Sequence, residues 1–220
     1  MRRFLRNNGL SITMFVLFAV FLGGQALAGR RVYNDEQREH REQTVELAEY
    51  LTSGHFIEAV FENWESEFLQ MGSYVLLTVF LFQKGSPESR KIGQEEPQDA
   101  DPRRAKKTKP VPWPVRRGGI ALKLYENSLA LAFLVLFLLS IALHAIGGAD
   151  EYSQQQVEHG GKPISVGRFM TTWEFWYQSF QNWQSEFLAV GTLVVLSIFL
   201  RQRGSPESKP VAYPHHETGT

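Results

Sequence analysis

The chain has 220 residues, 23 Lys+Arg against 23 Asp+Glu, 43% hydrophobic residues and no cysteine. A balanced charge argues against a basic nucleic-acid binder and against an acidic disordered chain, both of which need an excess of one sign. Without cysteine there are no disulfide scaffolds, thiolate zinc sites, iron–sulfur clusters or cysteine nucleophiles.

These averages would suit a soluble domain, but the arrangement does not. Leu10–Ala28, LSITMFVLFAVFLGGQALA, carries no charge, and at ~1.5 Å per residue it is long enough to cross ~30 Å of hydrocarbon. Arg2, Arg3 and Arg6 before it and Ala26-Leu27-Ala28 at its end resemble a secretory leader. Its apolar run is longer than the ~7–15 residues of such a leader, so retention as a first helix over 10–28 is expected. Asp35–Ser53 then reads as a charged outer helix.

Phe68–Phe82, FLQMGSYVLLTVFLF, is uncharged but short, and it reaches spanning length only as a helix over about 64–83. Gln83–Ser89 follows, with Lys84 expected at the helix C-terminus, Gly85 in a left-handed position and Pro87 preventing continuation. Residues 91–118 form a linker rich in Pro and charge that cannot bury a core. Its basic residues, Arg103–Lys109 and Arg116-Arg117, are expected near anionic lipid headgroups.

Ser128–Ile146, SLALAFLVLFLLSIALHAI, gives a third span over about 127–146, with His144 expected at interfacial water as Gln25 is in the first. Phe169, Trp173, Trp176, Tyr177 and Phe180 fit one helical face, which predicts an interfacial helix. Phe187–Leu200 yields a fourth span over about 183–202. The tail 210–220, with His215-His216, reads as solvated.

Shifted by 119 positions, the chain matches itself. FENWESEFLQMGSYVLLTVFLFQKGSPESR at 61–90 lies on FQNWQSEFLAVGTLVVLSIFLRQRGSPESK at 180–209, with about 18 of 30 positions identical. Tyr33 falls on Tyr152 in the same register. The expected organisation is therefore a first repeat (1–90), a linker (91–118), a second repeat (119–209) and a tail (210–220). The fold class is an all-α membrane protein with four transmembrane helices, in two tandem parallel two-helix repeats with short outer-surface helices. With the N-terminus inside, the inner segments carry 17 Lys/Arg and the outer segments 6. This bias predicts cytoplasmic N- and C-termini.

The candidate functional residues come from the repeated Asn-Trp-x-Ser-Glu-Phe: Asn63, Trp64, Ser66 and Glu67, with Asn182, Trp183, Ser185 and Glu186. If the helices begin near Trp64 and Trp183, Asn63 or Ser66 caps the first turn and the glutamates complement the dipole. Alternatively, Glu67 and Glu186 form an acidic pair about a pseudo-two-fold axis, fit to bind a cation or exchange protons. Gly72/Gly191, Ser73/Thr192 and Thr78/Ser197 recur as packing residues. No Walker loop, dinucleotide fingerprint, His-Glu-x-x-His or nucleophile elbow occurs. No catalytic residue, metal site or cofactor is expected.

The NWxSEF and GSPES blocks, the opening RRFLRNNGLS and the linker's PWPVRRGG and LYENSLALA resemble an uncharacterised family of small bacterial membrane proteins known only as a domain of unknown function. The resemblance implies a bacterial inner-membrane setting and brings no activity or catalytic residue. The expected role is a non-enzymatic structural or protein- and lipid-interaction module of the envelope. Its partners would be the bilayer and either another membrane protein or a second copy, and not nucleic acid. The alternative is a subunit of an ion- or proton-coupled transporter or channel that uses the repeated glutamates.

Overall fold

A computed structural model describes residues 2–105 and 111–219. Met1 and the basic stretch Lys106–Lys109 lie outside the described residues. The elements are α1 (Arg2–Glu39), α2 (Leu47–Tyr50), α3 (Gly54–Phe80), α4 (Pro102–Ala105), α5 (Trp113–Arg117), α6 (Gly119–Glu126), α7 (Ser128–Glu158), α8 (Val166–Phe169) and α9 (Trp173–Phe199), with a 3-10 turn at Pro97–Asp99. Among the described residues there is no strand. Three helices, α1, α7 and α9, are long and apolar enough to cross a membrane. The fourth expected span, α3, equals α9 in length but carries Glu58, Glu62, Glu65 and Glu67 in its first half.

The boundaries correct several expectations. The charged outer helix is not continuous: Asp35–Glu39 extend α1, and only Leu47–Tyr50 are helical beyond it. Arg41 turns the chain at φ 64°. The buried Asn34 then clasps Val45, its Nδ2 donating to the carbonyl at 3.1 Å and its Oδ1 accepting from the N–H at 2.8 Å. Two backbone groups that would have propagated a helix are thereby satisfied elsewhere.

The helices α3 and α9 begin at Gly54 and Trp173, well before Trp64 and Trp183. Their caps are Ser53, whose Oγ accepts from Phe56 N, and Thr172, whose Oγ1 accepts from Phe175 N, each at 3.3 Å. Trp173–Phe180 are thus the opening turns of α9 and not a separate interfacial helix. Both helices also stop at Phe80 and Phe199, short of 83 and 202. The N–H of Gln83 is diverted to Ser89 Oγ at 2.8 Å, and that of Gln202 to Ser208 Oγ at 2.9 Å. The carbonyls they would have used are taken by Arg90, which donates to Val79 O at 3.0 Å, and by Arg201, which donates to Ile198 O at 3.1 Å. Lys84 and Arg203 therefore lie beyond the helix ends, while Gly85 and Gly204 take the left-handed φ of 88° and 85°.

The chain divides into two compact units. In the first, residues 1–61 and 142–176, two aromatic clusters occupy equivalent repeat positions. Tyr33 and Tyr50 lie 5.8 Å apart and Tyr50 and Phe56 5.4 Å apart; Tyr152 and Phe169, and Phe169 and Phe175, are each separated by 5.7 Å. Each cluster rests on a glycine. A Cβ on Gly29 would lie 2.2 Å from the Tyr50 hydroxyl, and one on Gly148 would lie 2.5 Å from the Phe169 ring. His144 is fully buried and stacks on Phe175 at 4.9 Å, contrary to its expected place at interfacial water. An apolar ring beside it displaces the water that the helix end would otherwise offer.

The second unit, residues 62–141 and 177–220, packs Phe68 on Phe133 at 6.5 Å and Phe137 edge-on to Trp183 at 6.3 Å. Of the recurring glycine pair, only Gly72 is crowded: its Cβ would lie 3.1 Å from that of Phe133, whereas one on Gly191 would meet nothing within 4 Å. Gly148→Ala is therefore expected to lower stability by about 1–3 kcal/mol through overpacking. Gly191→Ala should leave stability unchanged or raise it by up to about 1 kcal/mol through helix propensity. Unfolding of the detergent-solubilised chain would measure both.

Candidate functional site

The repeated motif lies in the interior of α3 and α9 and not at a cap. Ser66 Oγ donates to Asn63 O at 2.7 Å and Ser185 Oγ to Asn182 O at 2.8 Å, so both hydroxyls return to their own helix. Asn182 Nδ2 does likewise, donating to Gln178 O at 3.2 Å. Ser66 is buried, Ser185 and Asn63 are exposed, and Trp64 is half-buried. The capping role falls to Ser53 and Thr172, because the helices start earlier than the tryptophans suggested.

The carboxylate at the centre of this region is Glu65, which lies outside the repeated set. It is fully buried, and its Oε1 accepts from Ser179 Oγ at 2.8 Å and from Trp183 Nε1 at 3.2 Å. Such a group needs donors to replace lost water. Its repeat counterpart is Gln184, which is exposed, and the counterpart of Ser179 is Val60. Screening for residues present in both copies hides this pair. The signal that would have found it is the opposite one: positions where the copies differ by a charge and by a hydroxyl.

Glu67 is exposed and Glu186 half-buried. The interior also holds Gln70, whose Nε2 is buried without an acceptor among the described residues. Asn63, Trp64, Ser66, Glu67, Asn182, Trp183, Ser185 and Glu186 are thus all in one unit, and Trp183 joins the buried carboxylate.

A second constellation is formed by the Gln-x-Gly-Ser-Pro-Glu-Ser turns. In each copy the first serine hydroxyl accepts from the glutamate N–H at 3.2 Å, and the second serine receives the glutamine N–H. The first turn is covered and the second is open: Ser86 is fully buried and 3.3 Å from Ser197 Oγ. The tail supplies the cover and is therefore not simply solvated. Gly85 N donates to Thr218 Oγ1 at 2.9 Å, and Gly219 N donates to Ser86 O at 3.0 Å. Lys209 holds that tail, its Nζ donating to the carbonyls of Pro214, His215 and Glu217 at 3.3, 3.0 and 3.0 Å. Burial and then Arg201 lower the Lys209 pKa, Glu217 opposing them. Three carbonyl acceptors match the three donors of an ammonium group.

Glu88 accepts from the Tyr74 hydroxyl at 3.2 Å. Burial raises its pKa, Tyr74 opposes that rise, and the neighbouring Glu207 adds to it. Among the described residues no three His, Asp or Glu side chains converge as a metal ion would require.

The family described as domain of unknown function (DUF6766) matches residues 1–220, and the chain belongs to it. No curated protein and no solved structure matches the chain.

Replacing Glu65 by leucine would strand the Ser179 and Trp183 donors, at an expected cost of about 2–4 kcal/mol, while Glu65→Gln keeps an acceptor and should cost about 1 kcal/mol. Denaturant unfolding in detergent would compare the two. For Glu88, the folded chain binds the proton more tightly than the unfolded chain, whose reference value is 4.5. Its stabilising contribution is therefore complete below that value and is lost as pH rises through the raised one. Glu88→Gln should flatten this part of the stability–pH curve, measured as the unfolding midpoint from acid to neutral pH.

Proposed function

We propose that the chain is an inner-membrane protein of a bacterial envelope that acts without catalysis, as a structural or interaction module for lipid, another membrane protein or a second copy. The observation that carries this reading is the openness of the apolar helices. Only 6%, 17% and 6% of the most apolar windows of α1, α7 and α9 are buried within the chain. Such surfaces call for hydrocarbon or another protein around them. The polar residues of the repeated motifs are meanwhile largely consumed by local hydrogen bonds.

In this reading α3 is the fourth span, crossing with its uncharged half, residues 68–80. Several correspondences support two tandem parallel repeats. The units α2–α3 and α8–α9 have the same lengths, 4 and 27 residues, and the same hydroxyl caps. The aromatic clusters and the Gly-Ser-Pro-Glu-Ser turns match position by position. Both termini belong in the cytoplasm, on the side of the basic excess.

A second reading is favoured by one observation, the recurrence of a glutamate at the same motif position of α3 and α9, Glu67 and Glu186. Carboxylates within membrane-spanning helices are costly unless water, a proton or a cation attends them. In that reading the chain is a subunit of an ion- or proton-coupled transporter or channel.

Because the chain has no cysteine, single substitutions report topology cleanly. Thr44→Cys and Gly160→Cys should react with an impermeant maleimide from outside intact spheroplasts, and Gln94→Cys and Ser205→Cys only after permeabilisation. The reverse pattern, or equal labelling of all four, would overturn the orientation. Proteoliposome flux abolished by Glu67→Gln with Glu186→Gln would favour transport. Crosslinking in cells to one defined membrane partner, without flux, would favour the interaction module.

A further inference from the structure

The segment leading into α7 has a construction that neither the repeat nor the buried carboxylate accounts for. Trp113–Arg117 and Gly119–Glu126 form an elbow whose bend is made by two consecutive glycines in the left-handed region, Gly118 at φ 74° and Gly119 at φ 60°. A Cβ on Gly119 would meet nothing within 4 Å, so backbone conformation and not crowding requires glycine there. One side of the elbow is anchored by the buried Val115 and Leu122. The other leaves Trp113, Ile120, Leu124 and Tyr125 exposed, Ile120 at 78%.

These exposed residues line an open groove of about 840 Å³, together with Pro114 and Arg117. The Arg117 guanidinium sits 5.1 Å from the centre of the Trp113 ring. Stacking fixes the plane of the guanidinium while leaving its N–H edge able to grip a phosphate through two parallel bonds. Arg116 and Lys123 are also exposed, and Glu126 is the one acidic residue between 113 and 126. The elbow runs almost directly into the uncharged first half of α7: Asn127 Nδ2 donates to Lys123 O and Ser128 Oγ to Tyr125 O, each at 2.8 Å. The depth of the groove is thus tied to the end of an apolar helix, where aromatic and basic side chains favour headgroups.

We propose that this elbow is a binding site for an anionic phospholipid, with Arg117, Arg116 and Lys123 meeting the headgroup while an acyl chain lies along Ile120 and Leu124. Charge complementarity selects the occupant, because three cations beside an apolar groove match a lipid that bears both a net negative charge and a chain. The proposal rests on the reading of the chain as an integral membrane protein and names the class of lipid it would hold.

The test is native mass spectrometry of the full chain in detergent, with phosphatidylglycerol or phosphatidylethanolamine added. The chain should retain phosphatidylglycerol preferentially. Neutralising all three cations (Arg116→Gln, Arg117→Gln, Lys123→Gln) should weaken that retention by on the order of 100-fold, since each basic group near an anionic surface contributes roughly a factor of five. Trp113→Ala should weaken it more modestly, and Arg203→Gln, a cation on the open second turn, should not affect it. Equal retention of the two lipids, or retention unchanged in the triple variant, would overturn the proposal. Displacement of phosphatidylglycerol by millimolar inorganic phosphate would overturn it in favour of a free-anion site. Alkaline carbonate separates the two levels of the argument. A chain washed from membranes defeats the underlying membrane reading, and a chain that stays but shows no headgroup preference defeats the lipid site alone.

Discussion

A carboxylate stripped of water survives only where donors replace that water, and in the second unit this condition determines how two helices must register. Glu65 on α3 is met by Ser179 and Trp183, one turn apart on α9. A slip of a single turn, ~5.4 Å, would leave it one of the two at most. A neutral contact tolerates such a slip; a desolvated acid does not. The Phe137–Trp183 edge contact and the approach of Ser86 to Ser197 further along α9 occur in the same register.

The two similar sequence blocks share much of their local chemistry and almost none of this pairing. Where the same groups have the same near neighbours, the two copies behave alike: Ser89 and Ser208 intercept the same N–H, and Gly85 and Gly204 take the same backbone form. They part where the segments that follow them differ. Lys209 gathers three carbonyls of the tail, while its counterpart Arg90 pairs with Asp99 and closes on Val79. Similar sequence thus yields similar turns, and residues found beside one turn alone decide what it touches.

This division also marks how far the sequence could be read. The uncharged runs, the left-handed glycines after α3 and α9 and the all-helical class follow from short-range pattern, which a lone chain displays. The helix starts were misjudged because the tryptophans stand out, whereas the caps, Ser53 and Thr172, are ordinary hydroxyls three residues before unremarkable phenylalanines. Glu65 was invisible for another reason: its partners lie 114 and 118 residues away, and no periodicity links them. The burial of His144 likewise depends on Phe175, on another helix, and not on its own neighbours.

The covered turn also has a consequence in time. Gly85 N–H bonds to a hydroxyl 133 residues further along the chain. At ~5–20 residues per second, the ribosome needs on the order of 10 s to make that stretch. Throughout this interval the first turn exists with its own serine bonds but without its lid, open to whatever inserts or chaperones the nascent chain. Its mirror image, the second turn, awaits nothing so distant. The same seven-residue phrase is thus finished at once in one place and only after a long delay in the other, and the order of synthesis is written into which copy ends up covered.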